Sequence, residues 1–280
     1  MKHLEKNGVV TLQKLISLDS VDCERGLTHI PVVVIDVETT GFDHTVDNLI
    51  QIALRPFLVC SETGNISAIK KPIVYKQEPP EPLSDRIKQV TNFTDEDLKD
   101  EKVNWSMIGK VLSMCKFVIA HNARFDRPWV ERYLNENDIP LNDDLIWACS
   151  MSQVEWDREV VPSKSLEVLC AWHGFFYNSH SAEADIDATL HLLRKSSTMA
   201  ELLKNAASPD WHVFAMGTLR EENGRLKTRR YRWNPEFSCW WKSVSTKEQA
   251  DVEREWLTNN MSKVEPQCFE IEAKHRFDSI

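Results

Sequence analysis

The chain has 280 residues, 42% hydrophobic and 28% charged, with a formal net charge of −9. That length accommodates one ordinary domain and a smaller one, and no apolar run approaches the roughly 20 residues of a membrane helix. The acidic balance speaks against a broad basic surface for nucleic acid. Any such binding would draw on cations held by the chain's own carboxylates.

Residues 1–30 read as an N-terminal extension with a weak helical pattern from Val10 to Leu18. The start, Met1-Lys2-His3-Leu4-Glu5-Lys6-Asn7, lacks the apolar core of a signal peptide. The seven cysteines are odd in number, scattered and free of any CxxC pair, which fits a reducing compartment rather than a disulfide framework or zinc site. A cytoplasmic protein with no membrane association is expected.

At Pro31 the character changes. Val32-Val33-Val34-Ile35 is a β-branched run that predicts a buried strand. Asn48 to Leu54 and Ile69 to Tyr75 predict two more, with Glu62-Thr63-Gly64-Asn65 as the turn between them. Trp105, Ile108, Val111, Leu112 and Cys115 recur at helical spacing, and Phe117-Val118-Ile119-Ala120 reads as a short strand. A helix over Asp126 to Leu134, a strand near Leu145-Ile146-Trp147, and helices over Ser165 to Trp172 and Ala182 to Leu193 complete the region. This order predicts an α/β domain on a mixed sheet. Ala206-Ala207-Ser208-Pro209-Asp210 looks like a boundary.

Three patches carry chemistry. In Asp36-Val37-Glu38-Thr39-Thr40-Gly41, residues two apart on a strand share a face, so Asp36 and Glu38 project side by side. Their repulsion and lost hydration would be relieved by a divalent cation. In Ala120-His121-Asn122-Ala123-Arg124-Phe125-Asp126, a strand runs out and a carboxylate stands where a helix begins, a place where α/β folds gather ligands. In His180-Ser181-Ala182-Glu183-Ala184-Asp185, a loop histidine and a carboxylate on the first helical turns can reach one site. Each patch alone has a plain alternative: a solvated strand end, a helix cap at Asn122 and Asp126, a surface histidine.

In this order the motifs Asp-x-Glu, His-Asn-x-x-Phe-Asp and His-x-Ala-x-x-Asp resemble those of the DEDDh exonucleases, the family that includes the proofreading epsilon subunit of bacterial DNA polymerase III. The resemblance covers roughly residues 30–200. It implies a ribonuclease-H-like mixed five-stranded sheet flanked by helices over 31–205. It also implies that Asp36, Glu38, Asp126 and Asp185 hold two Mg²⁺ or Mn²⁺ ions, with His180 as general base in a range where histidine is naturally poised. Thr39, Thr40 and Phe42 would line the pocket of the 3′-terminal nucleotide through backbone amides and an apolar wedge. His121 and Asn122 would contact that nucleotide, and Phe125 would pack the motif. Gln51 stands where many relatives have Glu, and Cys149-Ser150 follows Trp147 where Asp-Thr is frequent.

The implied activity is 3′→5′ hydrolysis of single-stranded DNA ends to nucleoside 5′-monophosphates, with a DNA polymerase subunit as a candidate partner. Trimming of RNA and a non-catalytic nucleic-acid-binding module are the alternatives. Residues 210–280 read as a small α+β module with a strand over Trp211 to Met216, a helix over Lys247 to Asn259 and a strand over Cys268 to Ile271. Its stretch Thr228-Arg229-Arg230-Tyr231-Arg232-Trp233 mixes cations with aromatics. Two readings stand: contact with phosphates and bases, or an aromatic core beneath a solvated basic face.

Overall fold

The computed structural model describes residues 5–6, 8–19, 28–156 and 161–278. The chain divides into two compact units, 1–204 and 205–280.

The centre of the first unit is β1 (His29–Thr39), whose Val32, Val33, Val34 and Ile35 are buried. A strand covered on both faces reads as a continuous apolar run, which is how this one is written. β1 pairs antiparallel with β2 (Leu49–Cys60) and parallel with β5 (Phe117–Ala120), which in turn pairs parallel with β6 (Ile146–Cys149). The outer edge of β2 is shared by two short antiparallel strands, β3 (Ile66–Ile69) and β4 (Ile73–Lys76). The sheet therefore has six strands at five positions.

The single strand expected over Ile69 to Tyr75 is thus divided, and the reason lies on its neighbour. Pairing with β4 ends at Leu54 and pairing with β3 begins at Phe57, leaving Pro56 opposite the break at Lys70-Lys71-Pro72. Proline has no N–H to give a ladder, and the gap falls where Pro56 and Pro72 would each have had to supply one. The Pro56 carbonyl still accepts from the Lys70 amide at 2.9 Å.

Helices α1 (Asp85–Thr91), α2 (Asp95–Leu98) and α3 (Trp105–Ser113) follow β4. α4 (Ala123–Glu136) leaves the end of β5 and packs on β1, β5 and β6. After α5 (Leu166–Trp172), α6 (Ala182–Lys195) lies across β1 and β2. No helix among the described residues is long and apolar enough to cross a membrane. Of the cysteines, Cys60, Cys115, Cys149, Cys170, Cys239 and Cys268 are free thiols; Cys23 lies outside the described residues.

The helical pattern expected over Val10 to Leu18 is not a helix. Val9–Val10 is extended, and Gln13–Lys14 pairs parallel with Phe175–Phe176. Leu18 supplies the anchor: its amide donates to Asp187 at 2.9 Å and its carbonyl accepts from Arg55. Arg55 and Asp187 form a buried ion pair at 2.5 Å. Backbone captured by a buried charge pair leaves the local helical periodicity without effect. Parts of the expected 1–30 extension, residues 1–4, 7 and 20–27, lie outside the described residues.

In the second unit a four-stranded antiparallel sheet runs in the order β8 (Arg232–Asn234), β9 (Cys239–Val244), β7 (Asp210–Met216), β10 (Glu265–Ile271). α7 (Met199–Ala207) leads into the unit, α8 (Asn223–Thr228) precedes β8, and α9 (Lys247–Asn260) packs on the sheet. Val213, Ala215, Leu226, Tyr231, Trp240, Ala250, Leu257 and Met261 form its core. Within it Glu253 accepts from Arg229 at 2.6 Å, Lys242 at 2.5 Å and the Tyr231 hydroxyl at 3.2 Å.

Candidate active site

β1 projects Asp36 and Glu38 from one face near its C-terminal end. Directly across the ladder, Glu38 faces Gln51 of β2, and the register slips between Glu38 and Thr39, where the chain turns away from the sheet. Asp185 arrives from the first turn of α6. One carboxylate oxygen from each of Asp36, Glu38 and Asp185 lies within 4.8 Å of the other two. Asp126, in the first turn of α4, is buried and shares like-charge repulsion with Asp36, Glu38 and Asp185.

All four carboxyls are held above their ordinary range by loss of water, and for Asp36, Glu38 and Asp126 the neighbouring carboxylates add to the rise. Asp36 is raised well above it by burial and by Asp126, Asp185 and Glu38. Burial and Asp185 push Glu38 to about 7. Asp126 reaches about 8 through burial, despite the amides of Val37 and of its own residue that favour the ion, and Glu38 and Asp185 add to the rise. Asp185 is raised by burial, with Tyr177, the Ser181 amide and His180 pulling the other way. An all-oxygen donor set starved of counter-charge fits hard divalent cations.

Tyr177 and Gln51 hold the set in place, and the sequence reading missed both roles. The Tyr177 hydroxyl donates to Asp185 Oδ1 at 2.6 Å, and the Ser181 amide to Oδ2 at 3.2 Å. Buried Gln51 accepts from the Ala182 amide at 2.9 Å, tying the start of α6 to β2. A tyrosine eight residues before Asp185 carries no periodic or motif signal that would have singled it out. Exposed Glu167 of α5 adds negative charge toward Asp185 and His121.

His180 is exposed and sits in the left-handed region at φ 68°, in the loop before α6. Non-glycine residues held there collect at functional sites. Thr39 Oγ1 donates to the Gly41 carbonyl at 2.6 Å. Thr40 Oγ1 accepts from the Asn48 amide at 2.9 Å, and the Thr40 amide itself donates to the Asn48 carbonyl at 2.8 Å. Both bonds of Thr40 shape the 41–48 turn. A side chain at Gly41 would overlap the Asp47 carboxylate, whose nearest atom lies 2.2 Å from the position of a Cβ. Phe42 is 82% exposed, touched edge-on by Phe125 at 6.4 Å.

His121 has both ring nitrogens engaged, Nδ1 with Ser150 Oγ at 2.9 Å and Nε2 with the Lys164 carbonyl at 2.8 Å. Burial lowers its pKa. With both nitrogens engaged, the ring braces the β5–α4 connection. Asn122 is the residue before α4, is exposed, and makes no side-chain capping bond. Capping therefore does not account for it.

The family model described as RNase_T, Exonuclease, matches residues 33–193, the stretch that holds all of these side chains. The chain belongs to this exonuclease family. It is of the DEDDh 3′→5′ type. Among curated relatives, DNA polymerase III PolC-type of Streptococcus pyogenes serotype M2 is 33% identical over 184 residues, 64% of this chain and 12% of that protein. The corresponding protein of Streptococcus pneumoniae serotype 2 is 30% identical over 178 residues, 61% of this chain and 11% of the relative. The chain thus matches only a small part of these polymerases. Among solved structures, exonuclease I aligns at a TM-score of 0.55 with 18% identity, over 88% of this chain and 63% of that one. E. coli exonuclease I solved with a dA16 oligonucleotide aligns at 0.54 with 15% identity, over 82% and 70%. At such identities the likeness is one of fold, and it is the ribonuclease-H-like exonuclease fold.

Proposed function

We propose that this chain removes nucleotides from the 3′ end of single-stranded DNA, releasing nucleoside 5′-monophosphates. The observation that carries the reading is the convergence of Asp36, Glu38 and Asp185, with Asp126 buried beside them. These four would hold two divalent cations, Mg²⁺ or Mn²⁺. When bound, such a pair would supply neutralising charge at the scissile phosphate and leaving oxygen and would lower the pKa of the attacking water.

The chain's own groups do the rest. His180, on an exposed loop beside Asp185, takes the proton of the attacking water. Phe42 presents an apolar face on which the terminal base can rest, and Asn122 offers an uncommitted amide to the same nucleotide. Thr39, Thr40 and His121 keep the two loops in shape around it. Tyr177 and Gln51 fix Asp185 against the strand carboxylates.

DNA is favoured over RNA because the curated relatives are DNA polymerases and exonuclease I is solved with a DNA oligonucleotide. The same relatives make a polymerase subunit the candidate partner. A cytoplasmic setting is part of the same reading.

The test uses 5′-labelled DNA and RNA oligomers of matched sequence with Mg²⁺. Progressive shortening of single-stranded DNA, absent in Asp36→Asn, is the expected outcome. A label released at once as mononucleotide would reverse the polarity, and faster loss of RNA would transfer the reading to RNA trimming.

A further inference from the structure

In the 205–280 unit, Thr218, Arg220, Asn223, Lys227, Trp233 and Trp240 line a cavity of about 490 Å³, within the ~300–1,000 Å³ range of ligand pockets. We propose that it binds an unpaired segment of nucleic acid, as a second site separate from the carboxylate cluster. The proposal rests on the exonuclease reading, since it gives that substrate a further hold.

Charge is the first argument. Residues 205–280 balance, with twelve Lys and Arg against twelve Asp and Glu, so the whole −9 belongs to residues 1–204. Between Arg220 and Trp233, however, stand six cations and only two carboxylates, Glu221 and Glu222. Glu222 is buried and occupied, accepting from Ser262 at 2.8 and 2.9 Å and from the Leu219 amide at 3.2 Å. Of the cations, Arg229 is neutralised by Glu253 and Arg225 donates to the Asn260 carbonyl at 2.9 Å. Arg220, Lys227, Arg230 and Arg232 are exposed and make no ion pair among the described residues. A concentration of unpaired cations in an acidic protein suits a polyanion.

The aromatic floor is the second argument. Trp240 has its indole N–H satisfied by Asn223 Oδ1 at 3.0 Å, Lys227 over its face at 5.9 Å and Trp233 across its edge at 5.8 Å. Trp233 is 49% exposed. Cations beside an open indole face are what a strand of phosphates and unpaired bases requires, and stacking asks for no particular base. An acidic peptide would use the cations but leave the indole face idle.

The test is fluorescence anisotropy of the full chain with a labelled oligo-dT of about 20 nucleotides, in EDTA so that no hydrolysis occurs. Trp233→Ala should weaken binding roughly tenfold. Arg220→Ala with Lys227→Ala should weaken it and lower the slope of log affinity against log salt by about 1.4, two phosphates' worth on a single strand. Trp233→Phe and the charge-keeping Arg220→Lys should restore most of the loss; if they bind as poorly as the alanine variants, the effect is structural and the proposal falls. It also falls if affinity and slope stay within twofold of wild type, or if the alanine variants lose an acidic peptide but not the oligonucleotide. Wild-type hydrolysis with Mn²⁺ is read in parallel. Its absence would defeat the exonuclease reading alone, because the EDTA measurement does not depend on it.

Discussion

Tyr177→Phe isolates one bond in the candidate site. The change keeps the buried ring and removes only the hydroxyl that donates to Asp185 Oδ1 at 2.6 Å. A hydrogen bond to a charged acceptor is worth about 1.5–3 kcal/mol, a factor of roughly 10 to 150. The Ser181 amide, at 3.2 Å from the other oxygen, keeps part of the restraint, so the lower end is expected: about tenfold weaker cation binding, as for other groups that orient metal ligands. The sign with pH follows from the carboxyl. The Tyr177 bond lowers the pKa of Asp185, so without it the group protonates more readily, and the defect should be larger at pH 6 than at pH 8. The assay is initial rate of oligonucleotide shortening against Mg²⁺ concentration at both pH values, with thermal unfolding in EDTA as the control for folding. Half-saturating Mg²⁺ within twofold of wild type at both pH values would refute the reasoning.

His180→Ala should lower turnover roughly 10²-fold or more while Mn²⁺ binding by calorimetry stays near wild type; loss of metal binding would instead make it a ligand. Phe42→Ala should raise KM for oligonucleotides with no change in melting temperature, because an 82% exposed ring contributes little to the core; an unchanged KM removes it from the pocket. Metal-free stability should fall as pH rises from about 4 to about 8, because Glu38 and Asp126, at about 7 and about 8, keep protons in the folded state that the unfolded chain gives up. Urea melts in EDTA should show that slope reduced in Asp126→Asn; an equal slope in both proteins contradicts it. Arg55→Ala leaves Asp187 buried without its cation and should cost roughly 3–5 kcal/mol in urea unfolding; a loss under 1 kcal/mol would mean the site takes in water.

The parts of the fold legible in the sequence are those whose signal is local and redundant. The β-branched run Val32 to Ile35 reads as a covered strand, and the alternation of Asp36, Val37 and Glu38 follows from its pleat. Helices α3, α6 and α9 announce themselves by apolar spacing. The order of three motifs made the carboxylate set readable across 150 residues of chain. What escaped depends on partners distant in sequence. The N-terminal segment is extended because Leu18 is captured by Arg55 and Asp187, which no window around Val10 contains. The Ile69 to Tyr75 run breaks because Pro56 lies opposite. Tyr177 matters only because α6 turns Asp185 toward it, and the polar atoms of Thr40 and His121 were committed by contacts invisible in their motifs.

The divided border of the large sheet has a consequence for the molecule's company. An uninterrupted outer strand is a template on which another chain can add itself. Here neither border strand exceeds four residues, and two exposed lysines and a proline separate them. An approaching strand would find too little ladder to grip and would have to bring its backbone past two positive charges. The interruption that looks like a flaw in the ladder thus guards that border against aggregation.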